Sequence, residues 1–329
     1  MYEQAIAKLN GARRILLTSH VRPDGDAIGC LVGLREMLEA GQPGRTQVLL
    51  LSEPGDQYVF LLEKPYWVLG RDVTEEQVKA GRLEEFDAIL VVDTSAVRQL
   101  PGIGDYIRQR HRGVVVIDHH KGNEPIGEVR VIDTGAGAAG ELVYELGRRA
   151  GWQVNRVAAA AIFVAISTDT GWFRFENCAP RTLKIAGELV AAGAQPDELY
   201  HQLFQNFPPA RAKLVAEALA SLELFADDRL AVMQITNETM QRLGAKRSHI
   251  ENIVNEPAQI GSVLVTILLV EEKDGNTRVS LRSRAVVDVN ELAQRFGGGG
   301  HARAAGLTRS EPLPVVRALL IREITKMLE

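Results

Sequence analysis

Short apolar runs alternate with helix-spaced segments through the first half of the chain. "RILLTS" at residues 14–19 has the length and continuity of a buried strand, and "DAIGCLVGLREMLEA" at 26–40 repeats apolar residues at helical spacing. "TQVLLLS", "FDAILVVD" and "RGVVVIDHH" follow as β-rich runs, with "GEVRVID" as one more short strand. Strands separated by helices imply βαβ units and a mostly parallel sheet flanked by helices. From Ala136 to about Ala220 the spacing is helical. "AAGELVYELGRRAG" closes on Gly151, "NRVAAAAIFVAIST" opens on Asn155 as N-cap, and "RTLKIAGELVAAG" follows Pro180. "FPPARAKLVAEALASLELF" is expected to bridge two domains. Beyond it "RLAVMQI" and "GSVLVTILLVEE" read as strands, and "DGN" at 274–276 marks a hairpin into "TRVSLRSR". The fold class is therefore α/β, with a smaller C-terminal α+β domain. The expected boundaries are 1–190 for the first domain, 191–211 for a helical linker and 212–329 for the second.

Composition narrows the function more than the fold. A net charge of −4 excludes a chain that coats long nucleic acids through bulk charge, but not short anionic ligands held by a local patch. Two cysteines, Cys30 and Cys178, make no disulfide framework and suit a reducing cytoplasm. The N-terminus carries Glu3 and no long apolar stretch, so no signal peptide is expected there. The longest apolar run, "VAAAAIFVAIS", is too short to span a bilayer, so no membrane is expected as a partner.

Candidate chemistry stands where the strands end. In open parallel sheets ligands bind beyond the carboxyl ends of the strands. "ILLTSH" ends in His20, with Asp24 and Asp26 in the next loop. "AILVVD" ends in Asp93, and "VVVIDHH" in Asp118, His119 and His120. Asp169 in "STDTGWF" stands where a helix runs into a loop. One Asp or His in such a place is usually a turn, a cap or a hydrogen-bonding group. Three strand ends with the same chemistry point to a metal site. Carboxylate and imidazole without thiolate suit Mn²⁺, with Fe, Co and Zn as alternatives and Mg²⁺ less apt. So many carboxylates would over-charge one cation, and two are expected. Cys30 falls on the apolar face of the first long helix and reads as core.

Six motifs in order resemble the DHH/DHHA1 phosphoesterase superfamily, and most closely its nano-RNase group of bifunctional oligoribonucleases and pAp phosphatases (pAp is 3′-phosphoadenosine 5′-phosphate). They are "SHVRPDGDAIG", "VVDTS", "IDHHKGN", "STDTGWFRF", "VSLRSR" and "VNELAQRFGGGGHARAAG", spread over nearly the whole chain. The resemblance implies that His20, Asp24 and Asp93 hold one cation. Asp26, Asp93, His119 and Asp169 would hold the other, with Asp93 bridging and Asp169 open to sharing. His120 would face the scissile phosphate, joining Asp93 and Asp24 in catalysis, and Asp118 would orient a neighbouring His. Two departures stand out. Relatives often carry a Ser-Ser-Thr run where this chain has Gly137, Ala138 and Ala139, and an aromatic where it has Ile126.

From Lys273 to Arg309 seven Lys/Arg (273, 278, 282, 284, 295, 303, 309) face three Asp/Glu (274, 288, 291), a basic patch on an acidic chain. Alternation along "TRVSLRSR" puts Arg278, Ser280, Arg282 and Arg284 on one face. The glycine run 297–300 would let backbone approach a phosphate closely, with a flexible linker as the bland alternative. With the resemblance, Arg282, Gly299, Gly300 and His301 become binders of a terminal phosphate or nucleotide. Arg284, Arg303 and Arg98 are weaker candidates, and for Arg98 a structural role is the alternative. Trp172 and Phe173 are candidate base-stacking platforms, against core packing. The implied activity is a Mn²⁺-dependent phosphodiesterase that hydrolyses short single-stranded RNA to mononucleotides and dephosphorylates pAp. Its partners would be short RNA, dinucleotides and pAp, with a homodimer open as an assembly. Hydrolysis of a cyclic or linear signalling dinucleotide is the rival, and a non-catalytic nucleotide-binding protein a remote one.

Overall fold

The computed structural model describes residues 1–121, 124–284 and 287–329, and every side chain among them but that of His301. The chain divides into two units, Met1–Asn206 and Phe207–Glu329. Residues 191–211, expected as a helical connection, do not form an element of their own. They hold a helix of the first unit and the first residues of a helix of the second.

The first unit runs α1 (Tyr2–Gly11), β1 (Ile15–Thr18), α2 (Gly25–Glu39), β2 (Thr46–Leu50), β3 (Trp67–Val68), α3 (Glu75–Lys79), β4 (Ala88–Val92), α4 (Gly104–Arg110), β5 (Val114–Asp118) and β6 (Val129–Ile132). Four further helices complete it, α5 (Ala139–Ala150), α6 (Arg156–Asp169), α7 (Pro180–Ala191) and α8 (Pro196–Phe204). Among the described residues six strands pair in parallel in the order β3-β2-β1-β4-β5-β6. Both faces are covered, which is why the strands read as unbroken apolar runs. Ile15, Leu17, Leu90 and Ile117 pack with α2, α5 and α6 on one side, while Leu16, Ile89, Val91 and Val116 pack with Leu100, Ile103 and Ile107 on the other. Leu199 and Leu203 seat α8 in the first of these cores.

Two features bring polar residues to one edge. The strand order reverses between β1 and β4, so their outgoing loops diverge and leave a crevice beyond their carboxyl ends. Helix packing adds a second constraint. A Cβ on Gly25 would lie 2.3 Å from Thr168 Oγ1, and one on Gly29 2.3 Å from the Ala161 carbonyl oxygen. Without side chains there, the start of α2 lies directly against the end of α6, at the Asp169 terminus.

The second unit runs α9 (Pro209–Ala220), β7 (Glu223–Phe225), β8 (Leu230–Ile235), α10 (Asn237–Arg242), β9 (Val265–Glu271), β10 (Thr277–Ser283), α11 (Val289–Arg295), β11 (Gly299–His301), β12 (Ala304–Arg309) and α12 (Leu313–Leu328). Among the described residues its strands form a mixed sheet in the order β11-β12-β10-β9-β8-β7, parallel only between β8 and β9. Val279 and Leu281 of β10 point into a core with α11 and α12. Leu214 and Ala218 of α9 pack on Met233 and Leu268 at the other face, so α9 belongs to this unit rather than bridging out of it.

The glycine run differs from expectation. Residues 299–301 are an edge strand, not a loop, paired to β12 at Gly299↔Gly306 and His301↔Ala304. Gly298 and Gly300 are glycine because their own sheet demands it. A Cβ would lie 2.3 Å from the Gly306 carbonyl oxygen at the first and 2.4 Å from that of Ala304 at the second. Among the described residues no helix is long and apolar enough to cross a membrane.

Candidate metal centre

The loops after β1, β4 and β5 and the end of α6 deliver their polar side chains to one place. His20 Nε2 lies 3.3 Å from Asp93 Oδ2 and 3.8 Å from Asp24 Oδ1. His119 Nε2 lies 3.5 Å from Asp93 Oδ1, 3.4 Å from Asp169 Oδ2 and 3.7 Å from Asp26 Oδ2. His120 Nδ1 is 3.6 Å from Asp93 Oδ1. Three triads therefore have donor atoms within 4.8 Å of one another: His20, Asp24 and Asp93; Asp26, His119 and Asp169; and Asp93, His119 and His120. Asp93 turns one oxygen toward each side. Its φ of 59° bends the chain out of the strand just after Val92, an unusual conformation that Asp tolerates better than most residues.

Electrostatics show what this pocket selects. Asp93 is 2 % exposed, and its Oδ1 has no hydrogen-bond partner among the described residues. A buried carboxylate oxygen left without a donor costs free energy unless a cation meets it. Burial and the charges of Asp93 and Asp169 push the Asp26 carboxyl well above its ordinary value. Burial likewise lifts Asp169 to about 7, aided by Asp93 and Asp24 and opposed by His119. Burial disfavours charge on His119, yet Asp93 and the other nearby carboxylates push it up to about 11. His20 is raised in the same way by Asp24 and Asp93. Asp93 goes the other way, held low against burial by His119 and His20. Four carboxylates thus draw positive charge into one small volume, and their mixture with imidazole suits divalent first-row ions.

Outer partners fix these side chains. His119 Nδ1 lies 3.2 Å from the Ala136 carbonyl oxygen, and His20 Nδ1 3.0 Å from that of Val21, so each imidazole turns its Nε2 inward. Asp118 is fully buried, 2.8 Å from His120 Nδ1, and accepts a 2.6 Å hydrogen bond from Ser95. Asp24 caps α2 by accepting from the Ala27 N–H. Asp26 accepts from the N–H groups of Ala139 at 2.6 Å and Gly140 at 2.9 Å, so it caps α5 from another helix. That answers the departure at Gly137, Ala138 and Ala139: helix entry rests on Asp26, and Ala138 offers no side-chain cap. Ile126 is buried in the core. Gly122 and Asn123, the end of "IDHHKGN", lie outside the described residues.

Sequence reasoning passes over several supports. Ser95 lies within a quoted motif but carries no ligand signal of its own. Asn177 donates to the carbonyls of both Gly137 and Asp169, tying the loop before α5 to the end of α6. Buried Glu141 accepts from Thr182 Oγ1 at 2.6 Å. Trp172 and Phe173 are half-buried and packed against other aromatics. Trp172 makes edge contacts with Phe163, Tyr200 and Phe204, and Phe173 with Phe163.

The second unit carries the other expected residues. Arg278, Ser280 and Arg282 share the face of β10 opposite its core, as alternation requires. Arg282 is paired in register with Ala304, which faces His301 on β11. Its Nη1 donates to the Leu281 carbonyl, and burial lowers its pKa. Arg284 does not continue the row, because β10 ends at Ser283 and the Arg284 guanidinium donates to the Ala258 carbonyl. Arg303 donates to the Val287 carbonyl. Around Gly299 an added Cβ would meet nothing within 4 Å, unlike at its neighbours 298 and 300. The side chain of His301 lies outside the described part. Arg98 is exposed on a short 3-10 helix, Val97–Gln99, after β4.

Known proteins match along this layout. The N-terminal domain of the DHH family matches residues 14–166, and the DHHA1 domain matches residues 227–328. The bifunctional oligoribonuclease and PAP phosphatase NrnA of Bacillus subtilis is 31% identical over 89% of this chain and 88% of its own. The cyclic-di-AMP phosphodiesterase GdpP of Geobacillus thermodenitrificans is 25% identical over 91% of this chain, which spans 45% of that protein. A crystal structure of an exopolyphosphatase-related protein from Bacteroides fragilis superposes with a TM-score of 0.90 at 25% identity, over 99% of this chain and 97% of that one.

Proposed function

The chain belongs to the DHH family and, within it, to the nano-RNase group, and from that premise we propose that it is a two-metal phosphoesterase of short nucleotides. It hydrolyses oligoribonucleotides of a few residues to mononucleotides and removes the 3′ phosphate of pAp. The observation that carries this reading is Asp93, buried at the crevice between β1 and β4 with one oxygen toward His20 and the other toward His119 and His120. Two divalent cations, manganese foremost, would supply a hydroxide at neutral pH and offset phosphate charge. His20, Asp24 and Asp93 are assigned to one, and Asp26, Asp93, His119 and Asp169 to the other. His120, held through Nδ1 by Asp118, stabilises charge on the phosphate or hands a proton to the departing oxygen. Arg282, Gly299, Gly300 and His301 bind a substrate phosphate, with Arg98 and Arg284 as secondary contacts. The two cysteines are unpaired, in keeping with work in the cytoplasm.

Labelled diribonucleotide and pAp test this directly. Mononucleotide is released with Mn²⁺ and not with EDTA. Absence of Mn²⁺-dependent turnover of diribonucleotide, pAp and linear dinucleotide contradicts it. The likeness to the cyclic-di-AMP phosphodiesterase supports a second reading, a signalling dinucleotide as the preferred substrate. Comparing kcat/KM for the cyclic form, the linear form and a plain diribonucleotide ranks the two.

A further inference from the structure

Three aromatic residues follow Asp169, and they face different ways. Trp172 and Phe173 adopt left-handed backbone, with φ of 59° and 64°, a conformation that strains non-glycine residues. Their rings pack inward, Trp172 at 5.1 Å from Tyr200 and Phe173 at 5.5 Å from Phe163. Phe175 is left outside and is 49% exposed. Its ring is nevertheless fixed. It lies on the backbone of Gly171, where a Cβ would fall 2.3 Å from Phe175 Cζ, and Gly171 itself has φ of 57°. The Phe175 N–H donates to the Thr170 carbonyl at 3.0 Å and its carbonyl accepts from Cys178 at 3.0 Å. Asn177 ties the same loop to the Asp169 carbonyl.

One apolar side chain on a surface needs no explanation by itself. Here, however, a strained turn and a glycine hold one face of the ring against backbone and leave the other to solvent. Gly171 is two residues beyond Asp169, so their Cα atoms are at most about 7 Å apart. The supported ring therefore stands in the loop that leaves Asp169, close to that residue's backbone. A flat apolar face so placed suits the π-face of a base, and such stacking tolerates any base.

We propose that the outer face of Phe175 is the platform on which a nucleobase of the substrate stacks. This rests on the nucleotide phosphoesterase reading above. The strained turn turns Trp172 and Phe173 inward, Gly171 seats the third ring, and Asp169 closes the helix that leads into this turn. Phe175 is thus a binding residue that positions the nucleotide, and the residue that separates base-bearing substrates from bare phosphodiesters.

The test compares wild type, Phe175→Leu and Phe175→Tyr on a diribonucleotide and on the matching abasic diester. Leucine keeps an apolar cover on Gly171 but offers no ring. Phe175→Leu is expected to raise KM about tenfold for the diribonucleotide, with kcat within about twofold and KM for the abasic diester unchanged. Phe175→Tyr restores the wild-type KM. An unchanged KM in Phe175→Leu, or an equal rise on both substrates, overturns the proposal. Calorimetric titration of AMP reads the platform even if wild type turns over no substrate and the phosphoesterase reading fails. An about tenfold weaker Kd in Phe175→Leu, recovered in Phe175→Tyr, upholds the platform, and equal affinity in all three overturns it.

Discussion

Each unit is built on a mixed α and β layer with one sheet, yet the two collect polar side chains by opposite means. In the first, residues from four separate stretches meet because parallel strands end at one edge and the strand order reverses between β1 and β4. In the second, Arg278, Ser280 and Arg282 lie along a single antiparallel strand, one residue in two, beside backbone that lacks side chains. Convergence packs charge into a small volume, so carboxylates and imidazoles shift one another far from their ordinary pKa values. Alternation spreads its cations over a face and leaves them separate. The first arrangement suits compact, doubly charged ions, and the second an extended anion.

Removing the proposed shared ligand breaks that contrast most severely. Asp93→Asn is expected to lower activity by more than about 100-fold, beyond what loss of a ligand's outer partner causes, and to abolish Mn²⁺ uptake in calorimetry. Arg282→Ala should leave Mn²⁺ uptake intact. The next largest effect is at Gly25. An alanine there meets Thr168 and should destabilise the protein by about 1–3 kcal/mol in urea unfolding, while weakening Mn²⁺ binding by shifting Asp24 and Asp26 from Asp169. Gly299→Ala, with open space, should change stability by under about 0.5 kcal/mol. Arg282→Ala itself should raise KM for phosphorylated substrates about tenfold with kcat little changed, as loss of one charged hydrogen bond predicts. Unchanged KM would remove the second unit from phosphate recognition.

A small effect sharpens the picture at the rim of the first site. The Arg181 guanidinium holds the Asp133 carboxyl below its ordinary range, beside the turn whose Ala136 carbonyl orients His119. A depressed folded-state pKa contributes stability above the unfolded value, near pH 4, which is lost as pH falls through the folded value. The pair is partly exposed and screened, so Asp133→Asn should cost under about 1 kcal/mol at pH 7 and nothing near pH 2. Urea midpoints at the two pH values measure it.

Much of the first site is legible in the sequence because apolar runs mark the strands and His20, Asp93 and Asp118 to His120 stand directly at their ends. The parallel sheet then follows from the alternation with helices, and convergence from the sheet. Pairings set only by tertiary packing are not legible. Nothing local says that Asp26 caps α5 113 residues away, or that Asn177 bridges two loops. The β11 strand is hidden because glycine has low strand propensity, and its pairing to β12 overrides that preference. Which aromatic after Asp169 faces outward depends on three successive left-handed residues that no periodicity announces.

Asp93 is expected to lie between two divalent ions at the crevice of the parallel sheet. Anomalous diffraction at the manganese edge from crystals grown with Mn²⁺ tests it most directly. Two peaks are predicted, both touching Asp93, one bordered by His20 and Asp24 and the other by Asp26, His119 and Asp169. A single peak, or peaks away from Asp93, would contradict the account.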